Sequence, residues 1–304
     1  MTRSSPAFVP ATMRRLLALL CLLCTSVVAA ESGTRWPQDY QGLWWNPAET
    51  GWGVGVFDQG GGALSSVLFV YGADGKPTWY VAPNVSACAS NFATSISVGC
   101  SGPIYQTTGP WFGGGAFSPS SVTVRDVGQF QGFFTGALPG VAYARPREMT
   151  LTYTIDGATV IKPRLQFQDV SGSASVNFSK ADSPFTDLWW NPDESGWGVG
   201  IFQYRSALFA VLFVYGANGK PTWYVASLRE TTRATDAAER WFEGPVFATR
   251  GSWWFTTPFA LSDVREAGTA RIVFPSAGSN AALSYTIDGA SVQTVIRRLS
   301  SARP

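Results

Sequence analysis

Short runs of β-branched and aromatic residues, separated by glycine, asparagine and aspartate, follow one another through most of the chain. None of these runs keeps the helical period of about 3.6 residues, whereas several alternate with the two-residue period of a β-strand. Trp52–Phe57, for example, places Val54 and Val56 on one face and Gly53 and Gly55 on the other. The pattern predicts an all-β protein with many turns.

Turn signals separate the predicted strands. The glycine-rich run Asp58–Gly62 ends the first strand, and Ala63–Tyr71 is the next apolar run. The pair Asp74-Gly75 favours a type I′ hairpin that returns the chain to a strand at Thr78–Val81. Pro77 then begins that strand, where its missing N–H group is tolerated.

The chain contains a tandem duplication. Leu43–Phe57 returns as Leu188–Phe202 with twelve of fifteen residues identical. Val67–Ala82 returns as Val211–Ala226 with a single change. Any function has therefore to be sought first in the repeat unit.

The sequence of each repeat predicts roughly seven or eight strands that follow one another along the chain. Val122–Phe134 and Ser262–Phe274 are strand-like, and each repeat ends in a hairpin, at Asp156-Gly157 and at Asp288-Gly289. A meander of this size hides its edge strands best as an up-and-down barrel, so we predict two tandem antiparallel meander β-barrels, with two β-sandwiches as the alternative. The predicted organisation is a signal peptide (1–30), a first barrel (31–172), a linker (173–184) and a second barrel (185–304).

The amino terminus has the pattern of a secretory signal. Arg14 and Arg15 precede the apolar run Leu16–Leu23, and small residues follow up to a cleavage site after Ala30. The apolar run is too short to cross a membrane. We therefore expect a periplasmic or secreted protein that does not span the membrane once the signal is removed.

Charge and composition exclude several classes of function. Loss of residues 1–30 leaves 19 basic and 20 acidic residues, so no basic field predicts nucleic-acid binding. The sequence has no histidine, which excludes Ser-His-Asp catalysis and histidine zinc sites. We expect neither a metal nor another cofactor. Cys88 and Cys100 remain in the mature chain, and in an exported protein such a pair predicts a disulfide.

Paired aromatic residues are the first candidate ligand-binding groups. Neighbours in a strand point to opposite faces, so one ring of each pair enters the core and the other points outward. The outward rings either cover the barrel ends and the contact between repeats or form an exposed platform for a sugar or a polymer. The candidates in the best-preserved blocks are Trp44, Trp45, Trp79, Tyr80, Trp189, Trp190, Trp223 and Tyr224.

Glu49 and Glu194 are the acids repeated inside the most preserved block, three residues before Trp52 and Trp197. All four are candidate ligand-binding residues. The simplest interpretation is that each carboxylate satisfies backbone N–H groups of its Asn-Pro-x-Glu-x-Gly turn. Hydrogen bonding to a ligand is the second interpretation. Glycosidase-like catalysis is the third, and it requires a second carboxylate at about 5–9 Å.

The motif WWNPxExGWG followed by FxYGxxGKPTWY resembles a repeat of exported proteins of Gram-negative bacteria. Its most specific parts lie at Trp44–Gly53, Tyr71–Tyr80, Trp189–Gly198 and Tyr215–Tyr224. The resemblance implies export and a β architecture. At the level of fold alone, a meander with inward tryptophans is similar to avidin-type and lipocalin-type barrels, and no biotin-site motif transfers to this chain.

The sequence thus predicts an exported, non-enzymatic protein that binds a small ligand, a glycan or a surface protein through aromatic-rich β modules. Two copies raise avidity for a repetitive target without new contacts. The alternatives are a structural or inhibitory protein-interaction module, and a glycosidase-like hydrolase that uses Glu49 or Glu194.

Overall fold

The computed structural model shows two closed antiparallel β-barrels of eight strands each, which confirms the predicted fold. The described residues are 40–60, 63–89, 98–135, 148–167, 184–231, 239–275 and 280–300. The predicted signal peptide and all but the last residue of the predicted linker lie outside them. The described chain from residue 40 onwards belongs to one compact unit.

Both barrels are meanders that close between the last strand and the first. The first barrel comprises β1 (Gly42–Trp45), β2 (Gly53–Gly60), β3 (Ala63–Tyr71), β4 (Pro77–Ala89), β5 (Val98–Thr108), β6 (Thr123–Thr135), β7 (Glu148–Ile155) and β8 (Ala158–Phe167). The second comprises β9 (Asp187–Trp190), β10 (Gly198–Tyr204), β11 (Ala207–Tyr215), β12 (Pro221–Thr231), β13 (Glu239–Gly251), β14 (Leu261–Pro275), β15 (Asn280–Ile287) and β16 (Ala290–Arg298). Short 3₁₀ turns lie at Pro119–Ser121 and Pro192–Glu194.

The turns lie where the sequence predicts them, but not all of them have the predicted turn type. β2 continues to Gly60, so the turn expected from Asp58 is shorter than predicted. In the β3–β4 turn only Gly75 has a positive φ, of 70°, so a type I′ turn is wrong there. Asp74 instead accepts a hydrogen bond from the Lys76 N–H at 3.1 Å. Asp156, with the glycine after it, does adopt positive φ, as a type I′ hairpin requires.

The two faces of β2 have different environments. Val54 pairs with Trp44 on one side and Leu68 on the other, and all three are buried inside the first barrel. Gly53 and Gly55 lie on the outer face. A side chain at Gly55 would meet aromatic rings of both barrels at 3.0 Å or less, so the glycine allows the barrels to approach closely.

The outer faces of the barrels pack together with approximate twofold symmetry. The Trp79 indole donates to the Val214 carbonyl at 3.1 Å, and the Trp223 indole donates to the Val70 carbonyl at 2.9 Å. Phe57 from one barrel stacks on its counterpart Phe202, with ring centroids 5.6 Å apart. Such reciprocal contacts are typical of an isologous interface. The buried apolar residues of both barrels consequently form one continuous cluster.

Two long connections cross between the barrels. Phe112, in the β5–β6 connection of the first barrel, donates its N–H to the Tyr215 carbonyl at 3.2 Å. Trp254, in the β13–β14 connection of the second barrel, donates its N–H to the Tyr71 carbonyl at 3.0 Å. Each connection therefore covers one end of the other barrel. We call the end of the first barrel that the Trp254 segment covers the first mouth. The end of the second barrel that the Phe112 segment covers is the second mouth.

Candidate functional site

The Asn-Pro-x-Glu turn places a glutamate at each mouth. Asn46 Oδ1 accepts from the Ala48 N–H at 3.0 Å, and its carbonyl accepts from the Glu49 N–H at 2.9 Å. The same two kinds of contact recur around Asn191 and Glu194. The asparagine thus initiates the turn as the sequence predicts. It, and not the glutamate side chain, satisfies the backbone N–H groups of the turn.

The glutamate side chains turn toward the following tryptophan. Glu49 Oε2 accepts from the Trp52 indole at 3.2 Å, and Glu194 Oε2 accepts from the Trp197 indole at 3.1 Å. A carboxylate that receives a buried indole N–H is fixed in direction and keeps further lone pairs for another donor. Both repeats therefore present an oriented carboxylate beside an aromatic ring.

In the first mouth a lysine forms an ion pair with that carboxylate. Lys162 lies opposite Leu151 on the inner face of β8, so its side chain enters the barrel. Its Nζ is 2.7 Å from Glu49 Oε2, with the two side chains only 7% and 16% exposed. The ammonium also lies 5.4 Å from the centroid of the Trp52 ring. The first mouth therefore contains a buried ion pair with an added cation–π contact.

Trp254 closes the first mouth over this pair. It is 7% exposed, and its ring centroid is 5.5 Å from that of Tyr153. Its side chain also lies beside Tyr80, whose pKa burial raises. Burial, and then the negative charge of Glu49, raise the pKa of Tyr153 far above its usual value. The buried hydroxyl of Tyr153 has no hydrogen-bond partner among the described residues.

In the second mouth the lysine is absent. Counting from the shared Asp-Gly-Ala hairpin, Thr294 takes the place of Lys162. Its hydroxyl accepts from the Asn191 side-chain amide at 2.9 Å and supplies no ammonium group to the glutamate. Among the described residues, no cation lies within ion-pair distance of Glu194. Its carboxylate accepts a hydrogen bond from the Trp197 indole.

The crossing segment is also smaller at the second mouth. Phe112 takes the place of Trp254, and its ring centroid lies 5.9 Å from that of Tyr285. The next three residues are glycines, where the other copy has Phe255-Thr256-Thr257. This difference leaves a cavity of about 300 Å³. Its lining includes Phe112, Gly113, Glu194, Trp197, Tyr285 and Gln293.

Aromatic rings and polar groups together line this cavity, and Glu194 places a negative charge on one side. Burial, followed by the charges of Glu194 and Tyr224, raises the pKa of Tyr285 well above its usual value. Tyr285 therefore stays a neutral phenol at physiological pH. Glu194 is the only ionisable carboxylate among the described residues that line the cavity.

The other predicted site residues are distributed between core and interface. Trp44 and Trp189 are buried inside the barrels, and Trp79 and Trp223 are buried between them. Tyr80 and Tyr224 point inward near the mouths, where they contact Trp254 and Phe112. Trp45 and Trp190 remain half-buried. Trp45 also lines an apolar groove of about 310 Å³ between the barrels, with no charged lining residue.

Sequence reasoning missed four residues that shape the mouths: Lys162, Phe112, Trp254 and Tyr285. A signal for them exists in the alignment of the two repeats. After the shared hairpin one copy has a lysine where the other has a threonine, and the crossing segment reads WFGGGAF in one copy and WWFTTPF in the other. The chain distance of 113 residues between Lys162 and Glu49 hid their contact.

The comparisons with known proteins found no match among protein-family models, curated proteins or solved structures. Within the described ranges, no group of three or more His, Cys, Asp or Glu residues is arranged to hold a metal ion. In the same part of the chain, no helix has the length and apolar character needed to cross a membrane.

Proposed function

We propose that this chain is an exported, non-enzymatic binding protein that takes a small ligand, or the end of a glycan, into the mouth of its second barrel. The observation that carries the proposal is the cavity of about 300 Å³ beside Glu194. Ligand pockets begin at about this size and place polar groups beside apolar surface. Phe112, Trp197 and Tyr285 supply apolar surface among the mainly polar walls of this cavity, and Glu194 supplies a charged anchor.

The contrast between the two mouths supports ligand binding over a purely structural role. The first mouth holds the same turn, glutamate and tryptophan, yet Lys162 and Trp254 fill it. The second mouth instead keeps a cavity that opens to solvent. Gly113 and Gly115 line this cavity, where the other copy has Phe255 and Thr257.

A glycosidase function has less support. That chemistry uses two carboxylates at about 5–9 Å on either side of the scissile bond. Among the described lining residues Glu194 stands alone, and Glu49 is engaged by Lys162. We therefore propose binding without bond cleavage.

A protein-interaction module is the second candidate function. Trp111, Trp253 and Phe255 are 41%, 39% and 45% exposed and lie in the two crossing segments. Exposed aromatic residues near a site are typical of contact surfaces. In this version the rings contact a partner protein around the mouths.

Export and a disulfide belong to the same proposal. The β4–β5 register pairs Ser86 with Ser101 and Ala89 with Gly99, which brings the backbone of Cys88 beside that of Cys100 on the neighbouring strand. The side chain of Cys88 lies outside the described part, so the bridge stays a prediction. The signal peptide and membership of the exported repeat family stay predictions as well.

The test uses the chain without residues 1–30. Thermal shift and tryptophan fluorescence are followed with a defined panel of mono- and oligosaccharides, amino acids and amines. We expect at least one class to bind, and Phe112→Trp to abolish that binding because it copies the filling of the first mouth. Trp254→Phe is the matched control at the other mouth and is expected to leave binding intact. No binding by any panel member, or equal binding by Phe112→Trp, would overturn the proposal.

A further inference from the structure

The first mouth already contains a bound ammonium group, supplied by the chain itself. Lys162 Nζ contacts Glu49 Oε2 at 2.7 Å and lies 5.4 Å from the Trp52 ring centroid. The lysine side chain therefore behaves like a tethered alkylammonium ligand on a carboxylate and an indole. Its position shows which chemistry this carboxylate and this ring together hold.

The second mouth repeats the receptor without the tethered ligand. Lys162 pairs with Leu151, and Thr294 pairs with Leu283, so both positions face the barrel interior. Threonine is shorter than lysine and carries no charge. The space that a lysine side chain and its ammonium take beside Glu49 has thus no tethered occupant beside Glu194.

Electrostatics favour a cation in that space. No cation of the described residues pairs with Glu194, although the opposite mouth neutralises the equivalent charge. The negative charge of Glu194 also acts on Tyr285, whose pKa it helps to raise. A carboxylate beside aromatic walls holds an organic cation by a charge-assisted hydrogen bond and by cation–π attraction.

We infer that the second mouth binds a small-molecule primary amine, with its ammonium group on Glu194 and its alkyl chain against Phe112, Trp197 and Tyr285. The inference rests on the proposed function and names the chemical class of its ligand. The shared chemistry is an alkylammonium group, whether it comes from a linear amine or from an amino sugar.

Titration calorimetry with n-butylamine tests the inference, with n-butanol as the neutral analogue of similar shape. We expect n-butylamine to bind the mature chain at least about tenfold more tightly than n-butanol, because the charge-assisted bond is the stronger one. Glu194→Gln is expected to weaken n-butylamine binding by about tenfold or more. Glucosamine against glucose repeats the comparison for an amino sugar.

Two further variants complete the test. Thr294→Lys keeps Glu194 and supplies a tethered ammonium, so it is expected to abolish n-butylamine binding even if Glu194→Gln does not fold. Glu266→Gln removes the same charge from the exposed outer face of β14 and is expected to leave binding unchanged.

The outcomes separate this inference from the proposed function. One possible outcome is that neutral sugars bind, that Phe112→Trp abolishes their binding, and that n-butylamine does not bind. This result would overturn the inference and would still support the proposed binding function. Amine binding that Glu194→Gln and Thr294→Lys leave unchanged would also overturn it. Absence of binding by amines and by neutral ligands alike would overturn both.

Discussion

The two mouths are built from the same turn and differ in what fills them. At the first mouth Lys162 neutralises Glu49, and Trp254 closes the opening. At the second mouth Thr294 and Phe112 take those places, and a cavity of about 300 Å³ remains. Duplication thus preserved the turn, the glutamate and the tryptophan in both halves, whereas the residues packed around them differ.

The interface between the barrels shows the opposite behaviour. Its main contacts are reciprocal: Trp79 with Val214 and Trp223 with Val70. Stability therefore constrains both copies of the interface equally, because each tryptophan is buried and each supplies a donor to a buried carbonyl.

The largest expected effect breaks the ion pair of the first mouth. Glu49→Gln is expected to lower the free energy of unfolding by about 3–5 kcal/mol, because it leaves the Lys162 ammonium buried without its counter-charge. Glu194→Gln is the matched variant and is expected to cost only about 0.5–1.5 kcal/mol, since no cation of the described chain faces it. Urea unfolding at pH 7 measures both. Equal losses would show that the mouths are electrostatically alike.

The second prediction concerns the symmetric interface. Trp79→Phe and Trp223→Phe are each expected to lower the free energy of unfolding by about 1–3 kcal/mol, because each leaves a buried carbonyl without its donor. The two losses should agree, in contrast to the two glutamates. Trp111→Phe, at an exposed ring, is the control and should stay within about 0.5 kcal/mol of wild type. A loss confined to one interface tryptophan would contradict the twofold relation.

The third prediction exchanges the closing rings of the two mouths. Trp254→Phe removes ring volume from a buried position and is expected to lower the free energy of unfolding by about 1 kcal/mol. Phe112→Trp adds ring volume where the second mouth has space and is expected to cost less than that. Thermal unfolding compares the pair. A larger loss for Phe112→Trp would mean that the second mouth has no room for the larger ring.

The smallest expected effect lies at the exposed hairpin pairs. The Arg125 guanidinium lowers the pKa of Asp156, and Arg265 does the same for Asp288, chiefly through hydrogen bonds. A lowered folded-state pKa stabilises the fold above the unfolded value of about 3.9, and this contribution is lost as the pH falls through the folded-state pKa. Because solvent screens these pairs, Asp156→Asn and Asp288→Asn should each cost about 0.2–1 kcal/mol at pH 7.

The measurement is urea unfolding at pH 7 and again at a pH below both pKa values. Asparagine keeps the positive φ of the turn, so the substitution changes charge with little backbone strain. We expect the same small loss in both barrels at pH 7 and none in acid. A loss that persists in acid would assign the effect to the turn and not to the ion pair.

Local patterns in the sequence were enough to predict the strands, the positions of the turns and the duplication. Alternation along Trp52–Phe57 and the Asp156-Gly157 hairpin depend on neighbouring residues, so the backbone follows them directly. The type of the β3–β4 turn was wrong because Asp74 uses its side chain to bind the turn backbone and keeps negative φ. The sequence correctly predicted that the paired aromatic residues divide between the two faces of a strand. It did not decide whether the outward rings contact the other repeat or form an exposed platform.

The filling of the mouths was decided by the tertiary structure. Lys162 meets Glu49 only because β8 closes the barrel onto the β1–β2 turn, and Trp254 reaches the first mouth only because the barrels pack side by side. Contacts between residues a hundred or more positions apart leave no periodic trace in the chain, since they depend on which surfaces meet after folding. Strand order followed from neighbours along the chain; the difference between an occupied and an open mouth followed from neighbours in space.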